Sequence, residues 1–253
     1  MSTKKIALVT GGSRGLGKDM AINLAKKGLD VVITYNANKE AALSTIESIE
    51  EVGGKAIAIQ LDARNNKAFA DFKKELSKQL ETNFKTSTID YLINNAGFGH
   101  HGTVADTTEE AFDDLMNVHF KGVYFLTQTL LDILNNGGGI VNISSGLARF
   151  SLPGYSAYAS MKGAIEVYTR YLAKELGERK IRANTVAPGA INTDFNKERF
   201  EKAPQVVDII ASLTALGRVG ESEDIGSIVA FLCTDDAAWI NGQRIEASGG
   251  MFV

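Results

Sequence analysis

Cysteine, histidine and proline are scarce in this chain, and each shortage excludes a class of protein. One cysteine, Cys233, among 253 residues can form neither an intrachain disulfide framework nor a CxxC zinc site. The three histidines, His100, His101 and His119, have no carboxylate or cysteine at metal-ligand spacing, so we expect no metal centre. Three prolines in the whole chain argue against a proline-rich linker or disordered tract.

Basic clusters and long apolar runs are also missing. Lys and Arg number 27 against 30 Asp and Glu, a formal net charge of −3, so the sequence predicts no electrostatic surface for nucleic acid or anionic lipid. The first apolar run, 6–9, is far too short for a signal peptide, and no apolar run approaches the roughly 18 residues of a membrane span. We therefore expect a cytoplasmic protein that binds neither nucleic acid nor a membrane.

Glycine is abundant, with 25 residues, and the glycines separate alternating strands and helices. Apolar strands that are each followed by a helix indicate a parallel sheet buried on both faces. Right-handed crossovers favour an open, doubly wound α/β sheet of about seven strands, a Rossmann fold, over the eight-stranded barrel. No repeat or linker divides the chain, which we interpret as a single domain over 1–253. Predicted strands are 6–10, 31–35, 56–61, 91–94, 140–144 and 182–186, and predicted helices include 16–27, 109–134 and 156–176.

Several glycines lie where a predicted helix ends or must pack closely. A glycine in the left-handed conformation commonly ends a helix, and Gly28, Gly53, Gly137 and Gly177 each follow a helical pattern. Gly163 lies inside a predicted helix, where we expect it to allow close packing.

The first predicted strand runs into a glycine-rich turn, Thr10-Gly11-Gly12-Ser13-Arg14-Gly15-Leu16-Gly17, in which a helix begins. Glycines let the backbone approach a pyrophosphate, and the helix N-terminus offers unpaired N–H groups and the positive end of its dipole. A strand before the turn and another strand near residue 31 complete the βαβ context that this binding needs. The sequence predicts a dinucleotide site here.

The spacing Gly-x-x-x-Gly-x-Gly resembles that of the short-chain dehydrogenase/reductase family, and further motifs follow in family order over 5–250. Asn-Asn-Ala-Gly at 94–97 follows the fourth predicted strand, and Tyr158 and Lys162 match Tyr-x-x-x-Lys. Ser145 precedes Tyr158 by 13 residues, and Asn117 precedes Ser145 by 28, both as in the family. Pro-Gly at 188–189 with Thr193 resembles the segment that closes over the nicotinamide.

The resemblance implies an NAD(P)-dependent oxidoreductase that acts on a small-molecule carbonyl or secondary alcohol. It implies that Tyr158 transfers the proton, that Lys162 binds the cofactor ribose, and that Asn117 supports a water and proton relay through Lys162, unless Asn117 only packs. The catalytic set is thus Asn117, Ser145, Tyr158 and Lys162. The implied cofactor-binding residues are Thr10, Gly11, Ser13, Arg14, Gly15, Leu16, Gly17, Asn36, Asp62, Asn94, Ala96, Gly97, Tyr158, Lys162, Pro188, Gly189, Ile191 and Thr193.

The residue types themselves suit proton transfer to a carbonyl. Tyr158 and Lys162 are four apart on a predicted helix, so their side chains emerge from one face. A free tyrosine has a pKa of about 10, and a nearby ammonium is expected to lower it towards the working range. Ser145 ends a predicted strand, where its hydroxyl can donate to the substrate oxygen, whereas Ser144 should point to the opposite side.

The stretch after the second strand bears on the choice of cofactor. Residues 35–39 contain no acid to accept the ribose 2′-hydroxyl, and the guanidinium of Arg14 suits a 2′-phosphate. We therefore favour NADP(H), with NAD(H) as the alternative. Asp62 is an adenine contact by resemblance, or else a turn residue at a strand end.

The sequence leaves the substrate open. A ketone or 3-oxoacyl reductase is favoured, with an NAD(H)-dependent sugar or alcohol dehydrogenase or a non-catalytic dinucleotide sensor as alternatives. Arg149 is a hypothetical ligand for an anionic substrate, and His100 and His101 have no assigned role. The predicted pocket comprises Phe98, His100, Leu147, Arg149, Phe150, Tyr155, Ala190 and 194–213, the last a lid by resemblance.

The predicted helix 156–176 has apolar residues on a second face, including Val167 and Tyr171. A helix that covers only a sheet needs one apolar stripe. The second face indicates a subunit contact in a homotetramer or homodimer, or else deeper burial within the chain.

Overall fold

Seven parallel strands form one sheet in the order β3-β2-β1-β4-β5-β6-β7 in the computed structural model, which describes residues 4–253 apart from the side chains of 197–199. This order confirms the predicted doubly wound Rossmann sheet. The chain reverses direction of winding between β1 and β4, the place where open α/β sheets bind ligands. The strands are β1 (Ile6–Val9), β2 (Asp30–Tyr35), β3 (Ala56–Gln60), β4 (Ile89–Asn94), β5 (Leu134–Ile143), β6 (Arg182–Pro188) and β7 (Arg244–Ala247).

Helices cover both faces of this sheet. Because successive strand residues point to opposite faces, Val9 and Ile33 pack in one buried cluster with residues of α1 and α9. Leu8 and Val32 pack in a second cluster with residues of α3, α5 and α6. No helix in the described part of the chain is long and apolar enough to cross a membrane. The helices are α1 (Gly15–Lys26), α2 (Lys39–Glu51), α3 (Phe69–Phe84), α4 (Glu109–Met116), α5 (Val123–Leu130), α6 (Ser156–Glu175), α7 (Asp194–Lys202), α8 (Gln205–Ser212) and α9 (Glu223–Leu232).

The predicted helix 109–134 is interrupted and shorter than expected. A π-helical segment at 117–122 separates α4 from α5, and β5 begins at Leu134 rather than at residue 140. Gly137, with φ +80°, therefore lies within β5 and does not end a helix. Gly138 is needed for strand pairing here, since a Cβ on it would lie 2.1 Å from the carbonyl oxygen of Asp90.

Of the four predicted helix-ending glycines, Gly28 and Gly53 are confirmed, whereas Gly137 and Gly177 are not. Gly28 and Gly53 have φ of +87° and +79°. After α6 the left-handed residue is Lys180, with φ 55°, because Gly177 begins a 3-10 turn instead. A Cβ on Gly163 would meet nothing within 4 Å, so this glycine does not serve close packing.

Candidate active site

A cleft of about 1070 Å³ opens at the carboxyl ends of the strands. It brings together the glycine-rich turn, the 94–97 motif, the end of β5 and the face of α6 that carries Tyr158 and Lys162. Of the predicted cofactor residues, those that line it are Gly11, Ser13, Arg14, Gly15, Leu16, Gly17, Asn36, Asp62, Ala96, Gly97, Tyr158, Lys162, Pro188, Gly189, Ile191 and Thr193. Thr10, Asn94 and Asn117 do not line it.

The glycine-rich turn has the close contacts that exclude side chains. Gly11 has φ +66°, and a Cβ there would lie 2.9 Å from Cα of Ala96. A Cβ on Gly17 would lie 2.2 Å from the carbonyl oxygen of Gly11. No side chain caps α1 at Arg14, so the first N–H groups of this helix face the cleft uncapped, an arrangement that binds phosphate. The turn therefore fits a dinucleotide.

Thr10 joins the glycine-rich turn to the 94–97 motif through hydrogen bonds. Its Oγ1 accepts hydrogen bonds from the backbone N of Asn95 and of Ala96, each at 3.0 Å. The amide Nδ2 of Asn95 in turn donates to the carbonyl oxygens of Thr10, at 2.9 Å, and Gly11, at 3.2 Å. Asn95 also lines the cleft, although the sequence analysis did not single it out.

The side chain of Asn94 lies inside the protein and not in the cleft, so its predicted cofactor contact stays a prediction. Its side chain is buried, and Nδ2 donates to Oδ1 of Asn142 at 2.8 Å and to Oγ1 of Thr127 at 3.1 Å. Successive side chains at the end of a strand point to opposite sides, so the Asn94 side chain is buried between Asn142 and Thr127, whereas Asn95 lines the cleft.

Tyr158 and Lys162 lie side by side in the wall of the cleft, 8% and 5% exposed. The Lys162 ammonium is 5.5 Å from the centroid of the Tyr158 ring. Burial lowers the pKa of Lys162 to about 7. Burial also raises the pKa of Tyr158, and hydrogen bonding with Ser145 only partly offsets this rise. In the chain without a cofactor, loss of hydration thus raises the pKa of Tyr158, the opposite of the predicted lowering by Lys162.

Ser145 and Ser144 point in opposite directions, as their alternation predicts. Oγ of Ser145 accepts a hydrogen bond from the backbone N of Leu147 at 3.2 Å and lies near Tyr158 in the cleft. Oγ of Ser144 donates to Oε1 of Glu166 at 2.7 Å. Ser145 is therefore the serine that can contact a substrate oxygen.

Asn117 is not brought to the cleft, and His119 is. Asn117 begins the π-helical segment, whereas His119 lines the cleft, 1% exposed, with its ring centroid 5.1 Å from that of Tyr158. The two residues lie two positions apart in this helical segment, so their side chains point to different sides of it. Asn117 is predicted because it precedes Ser145 by 28 residues. That interval includes the connection between α5 and β5, whose length can vary independently of the helix.

Charged residues lie at the cofactor end of the cleft. The Arg14 guanidinium is exposed, with Nη1 3.7 Å from Oδ2 of Asp194 at the start of α7. Asp62 accepts hydrogen bonds from the backbone N of Arg64 at 3.0 Å and from its Nε at 3.2 Å. Arg64 lines the cleft as well, a second cation that the sequence analysis missed.

The substrate end of the cleft contains six of the seven predicted pocket residues outside 194–213, all but Arg149, together with five residues of that stretch. The Nε atom of Arg149 pairs with Oε2 of Glu246 at 2.9 Å, and its Nη2 donates to the carbonyl oxygen of Met251 at 2.9 Å. These partners direct the guanidinium away from the cleft, against its hypothetical anion-binding role. The lining residues here are Phe98, His100, His101, Leu147, Phe150, Leu152, Tyr155, Ala190, Asp194, Phe195, Asn196, Lys202, Ile210 and Met251.

Comparison with known proteins finds relatives that span the whole chain. A family model described as enoyl-(acyl carrier protein) reductase matches residues 11–252. Versicolorin reductase 1 of Aspergillus parasiticus is 36% identical over 259 residues, which cover 98% of this chain and 96% of that protein. Hydroxynaphthalene reductase-like protein Arp2 of Metarhizium majus is 34% identical over 257 residues, 97% of this chain and 94% of the relative.

Solved structures of reductases also superpose on nearly the whole chain. The promiscuous reductase LugOII, which catalyses keto-reduction at C1 during lugdunomycin biosynthesis, superposes with a TM-score of 0.94 at 36% identity, over 99% of both chains. The angucycline C-6 ketoreductase LanV with bound NADP has a TM-score of 0.93 at 36% identity, over 98% of this chain and 95% of that one. A short-chain dehydrogenase/reductase from Serratia marcescens superposes with a TM-score of 0.89 at 31% identity, over the full length of both chains.

Proposed function

The chain belongs to the short-chain dehydrogenase/reductase family, and on that premise we propose that it is an NADPH-dependent ketoreductase for an apolar, ring-containing ketone. One observation carries this proposal. Ser145, Tyr158 and Lys162 meet in the wall of a cleft whose other end is a glycine-rich turn with an uncapped helix N-terminus. That arrangement suits a dinucleotide at one end and a carbonyl at the other.

The mechanism follows from what each side chain can donate. The nicotinamide, when bound, supplies the hydride to the carbonyl carbon. The Ser145 hydroxyl donates a hydrogen bond to the carbonyl oxygen and stabilises its growing negative charge. Tyr158 gives its proton to that oxygen. The raised pKa of the Tyr158 phenol keeps this proton in place until the alkoxide forms, and the Lys162 ammonium stabilises the phenolate that is left.

The preference for NADP(H) is supported by charge at the cofactor end. Arg14 presents an exposed guanidinium at the edge of the cleft, and Arg64 lies nearby in its lining. Asn36, not an acid, follows β2, so nothing at that position repels a 2′-phosphate. LanV, a ketoreductase of the same fold, is known with NADP bound.

A ring-containing substrate is supported by the shape and lining of the other end. Four aromatic rings line it, those of Phe98, Phe150, Tyr155 and Phe195. Such rings bind flat apolar molecules through offset stacking and edge contacts. Relatives named for hydroxynaphthalene, versicolorin and angucycline reduction are consistent with that chemistry.

Assembly into a homotetramer or homodimer is part of the proposal. Val167 and Tyr171 on α6 are 45% and 62% exposed, and Tyr124 and Phe125 on α5 are 39% and 37% exposed. The Tyr124 ring stacks on Tyr168 of α6 with centroids 4.6 Å apart, so α5 and α6 share one apolar, aromatic surface of the kind that interfaces use. Light scattering should give a multiple of the 27.2 kDa chain mass, and a Tyr171→Glu variant should shift towards the monomer.

Turnover of a set of carbonyl compounds tests the proposed reaction. The purified protein would be given polycyclic aromatic ketones, 3-oxoacyl thioesters and sugars, each with NADPH and then NADH, and cofactor oxidation would be followed by absorbance. We expect the highest kcat/KM with an aromatic ring ketone and NADPH. Higher kcat/KM with a sugar or with NADH would contradict the proposal.

A further inference from the structure

His119 is a buried polar residue for which the proposed mechanism has no use. It is 1% exposed and lies in the π-helical segment 117–122, in the wall of the cleft. Its Nε2 lies 2.8 Å from the carbonyl oxygen of Phe98. The backbone N of Phe98 also lies 3.4 Å from Nε2, but this contact is longer than the one to the carbonyl oxygen. Because a carbonyl oxygen only accepts hydrogen bonds, the shorter contact assigns the hydrogen to Nε2 and leaves Nδ1 with a free lone pair.

The Nδ1 atom of His119 is buried without a hydrogen-bond partner among the described residues. Folded proteins rarely leave a buried acceptor unbonded, because it has lost its hydrogen bonds to water and gained none in return. An unbonded acceptor in the wall of a cleft is therefore expected to have a donor that belongs to the working site.

The neighbours of His119 hold its ring in one orientation. The ring meets that of Tyr158 edge to face, at 83°. On the other side a Cβ on Gly97 would lie 2.6 Å from Cε1 and 3.1 Å from Nδ1 of His119. The glycine of the 94–97 motif thus provides the space that this imidazole occupies.

Charge and burial keep the imidazole neutral. The titratable groups that face it are Tyr158 and Lys162, both on α6, while the 97–98 segment contributes backbone and the Phe98 ring. Burial and the positive charge of Lys162 lower the pKa of His119 well below its usual value. A neutral ring in this tautomer keeps its proton on Nε2, accepts a hydrogen bond at Nδ1 and takes no part in proton transfer. Lys162 has three N–H donors and gives one to Ile143.

We propose that His119 is a positioning residue for this reaction. Its ring packs against that of Tyr158, and its Nδ1, which no donor among the described residues reaches in this structure, becomes the acceptor that orients the Lys162 ammonium in the working site. The inference rests on the ketoreductase function proposed above. It assigns to His119 the supporting place that the sequence analysis gave to Asn117. It also explains why Gly97 cannot carry a side chain.

Two amide substitutions separate the two nitrogens of the ring. His119→Asn places an amide oxygen near the position of Nδ1 and gives up the bond to Phe98, whereas His119→Gln reaches the Phe98 carbonyl and gives up the Nδ1 acceptor. We expect His119→Asn to retain kcat within about threefold and His119→Gln to lose about tenfold or more. This loss is smaller than the roughly 10²–10⁴-fold that a proton-transfer group itself contributes, because His119 acts only through its neighbours. The KM for NADPH should change little in either variant.

The dependence of kcat on pH is a second readout, which would not change if His119 only packed against its neighbours. An acceptor at Nδ1 favours the charged form of Lys162, so its loss in His119→Gln should move the alkaline limb of the kcat profile to lower pH. Lys121→Ala, in the same π-helical segment, is the matched control and should leave both kcat and the profile unchanged. The proposal would be overturned if His119→Gln had the same kcat as His119→Asn, or if the alkaline limb of the kcat profile moved in neither variant.

A measurement without turnover distinguishes this inference from the proposed function. The ring ¹⁵N shifts of His119 in the wild-type protein should show a neutral ring protonated on Nε2, with Nδ1 as the acceptor, across the neutral pH range. A charged ring or the opposite tautomer overturns the role of His119 whatever the substrate. Correct ring shifts in a protein that reduces no carbonyl would instead overturn the ketoreductase proposal.

Discussion

The Lys162 ammonium donates a hydrogen bond to the carbonyl oxygen of Ile143, with 2.8 Å between Nζ and the oxygen. Ile143 ends β5 and Lys162 lies in α6, so this bond joins the helix that carries Tyr158 to the strand that leads to Ser145. Both partners are buried. Tyr158 and Lys162 are therefore held on a helix that is bonded to the sheet, and Ser145 follows two residues after the end of that strand.

Tyr158→Phe should remove turnover and leave cofactor binding intact. The ring still fills its place against His119 and Lys162, but the transferable proton is gone, and such groups contribute about 10²–10⁴-fold to rate. Steady-state kinetics and NADPH fluorescence titration would measure the two effects. Ser160→Ala, on the same helix, is the control and should keep full activity; turnover that survives in Tyr158→Phe would refute the assigned proton donor.

Lys162→Met should change how stability depends on pH. Burial lowers the pKa of Lys162 from 10.5 to about 7 in the folded chain, so between these values the unfolded chain binds more protons. The free energy of unfolding then rises with pH in this window, by up to about 1.4 kcal/mol per pH unit from this group. Urea unfolding at about pH 7 and about pH 9 should show a smaller rise in the variant; equal rises would contradict the buried, weakly basic lysine.

Gly17→Ala should damage the cofactor turn, whereas Gly163→Ala should not. A Cβ at Gly17 would meet the Gly11 carbonyl oxygen at 2.2 Å, and one at Gly163 meets nothing within 4 Å. We expect Gly17→Ala to lower NADPH affinity by tenfold or more, since the turn must open. In Gly163→Ala the better helix propensity of alanine should raise stability by about 0.5–1 kcal/mol. Fluorescence titration would measure the NADPH affinity of Gly17→Ala, and thermal unfolding would measure the stability of Gly163→Ala. A Gly17→Ala protein with wild-type NADPH affinity would count against the tight turn.

Arg14→Ala should weaken NADPH binding selectively. The guanidinium is the exposed cation at the turn. Its ion pair with Asp194, at 3.7 Å, is solvent-exposed, so we expect it to compete only weakly with a bound 2′-phosphate. We expect the KM for NADPH to rise about tenfold, about the effect of losing one charged hydrogen bond, with little change for NADH. Lys18→Ala, a neighbouring cation outside the cleft, controls for net charge, and an equal rise for both cofactors would contradict the 2′-phosphate role.

Arg149→Ala should affect acidic and neutral ketones alike. Its guanidinium is occupied by Glu246 and by the Met251 carbonyl oxygen, so its loss should loosen the segment that carries Met251 without removing a substrate ligand. KM values for matched acidic and neutral ketones would be compared, with Glu246→Gln as the companion variant. A rise in KM confined to acidic ketones would restore the anion-binding hypothesis.

Several features follow from the sequence because they depend on local spacing. Alternating strands and helices predict the doubly wound sheet, since each buried parallel strand needs a crossover helix. The glycine-rich turn follows its strand directly, and Tyr158 and Lys162 share one helical face because they are four residues apart. In each case the residues involved belong to one element or to its immediate continuation.

The tertiary structure alone decided the rest. His119 rather than Asn117 faces Tyr158, because their relation to Ser145 crosses a π-helical turn and the connection before β5. Arg149 finds its partner in Glu246, on a distant strand. The pKa of Tyr158 is raised rather than lowered because hydration is lost on burial. Local spacing determines which face of an element a residue occupies, but which groups meet across elements, and how dry their surroundings are, depends on the packing of the whole sheet.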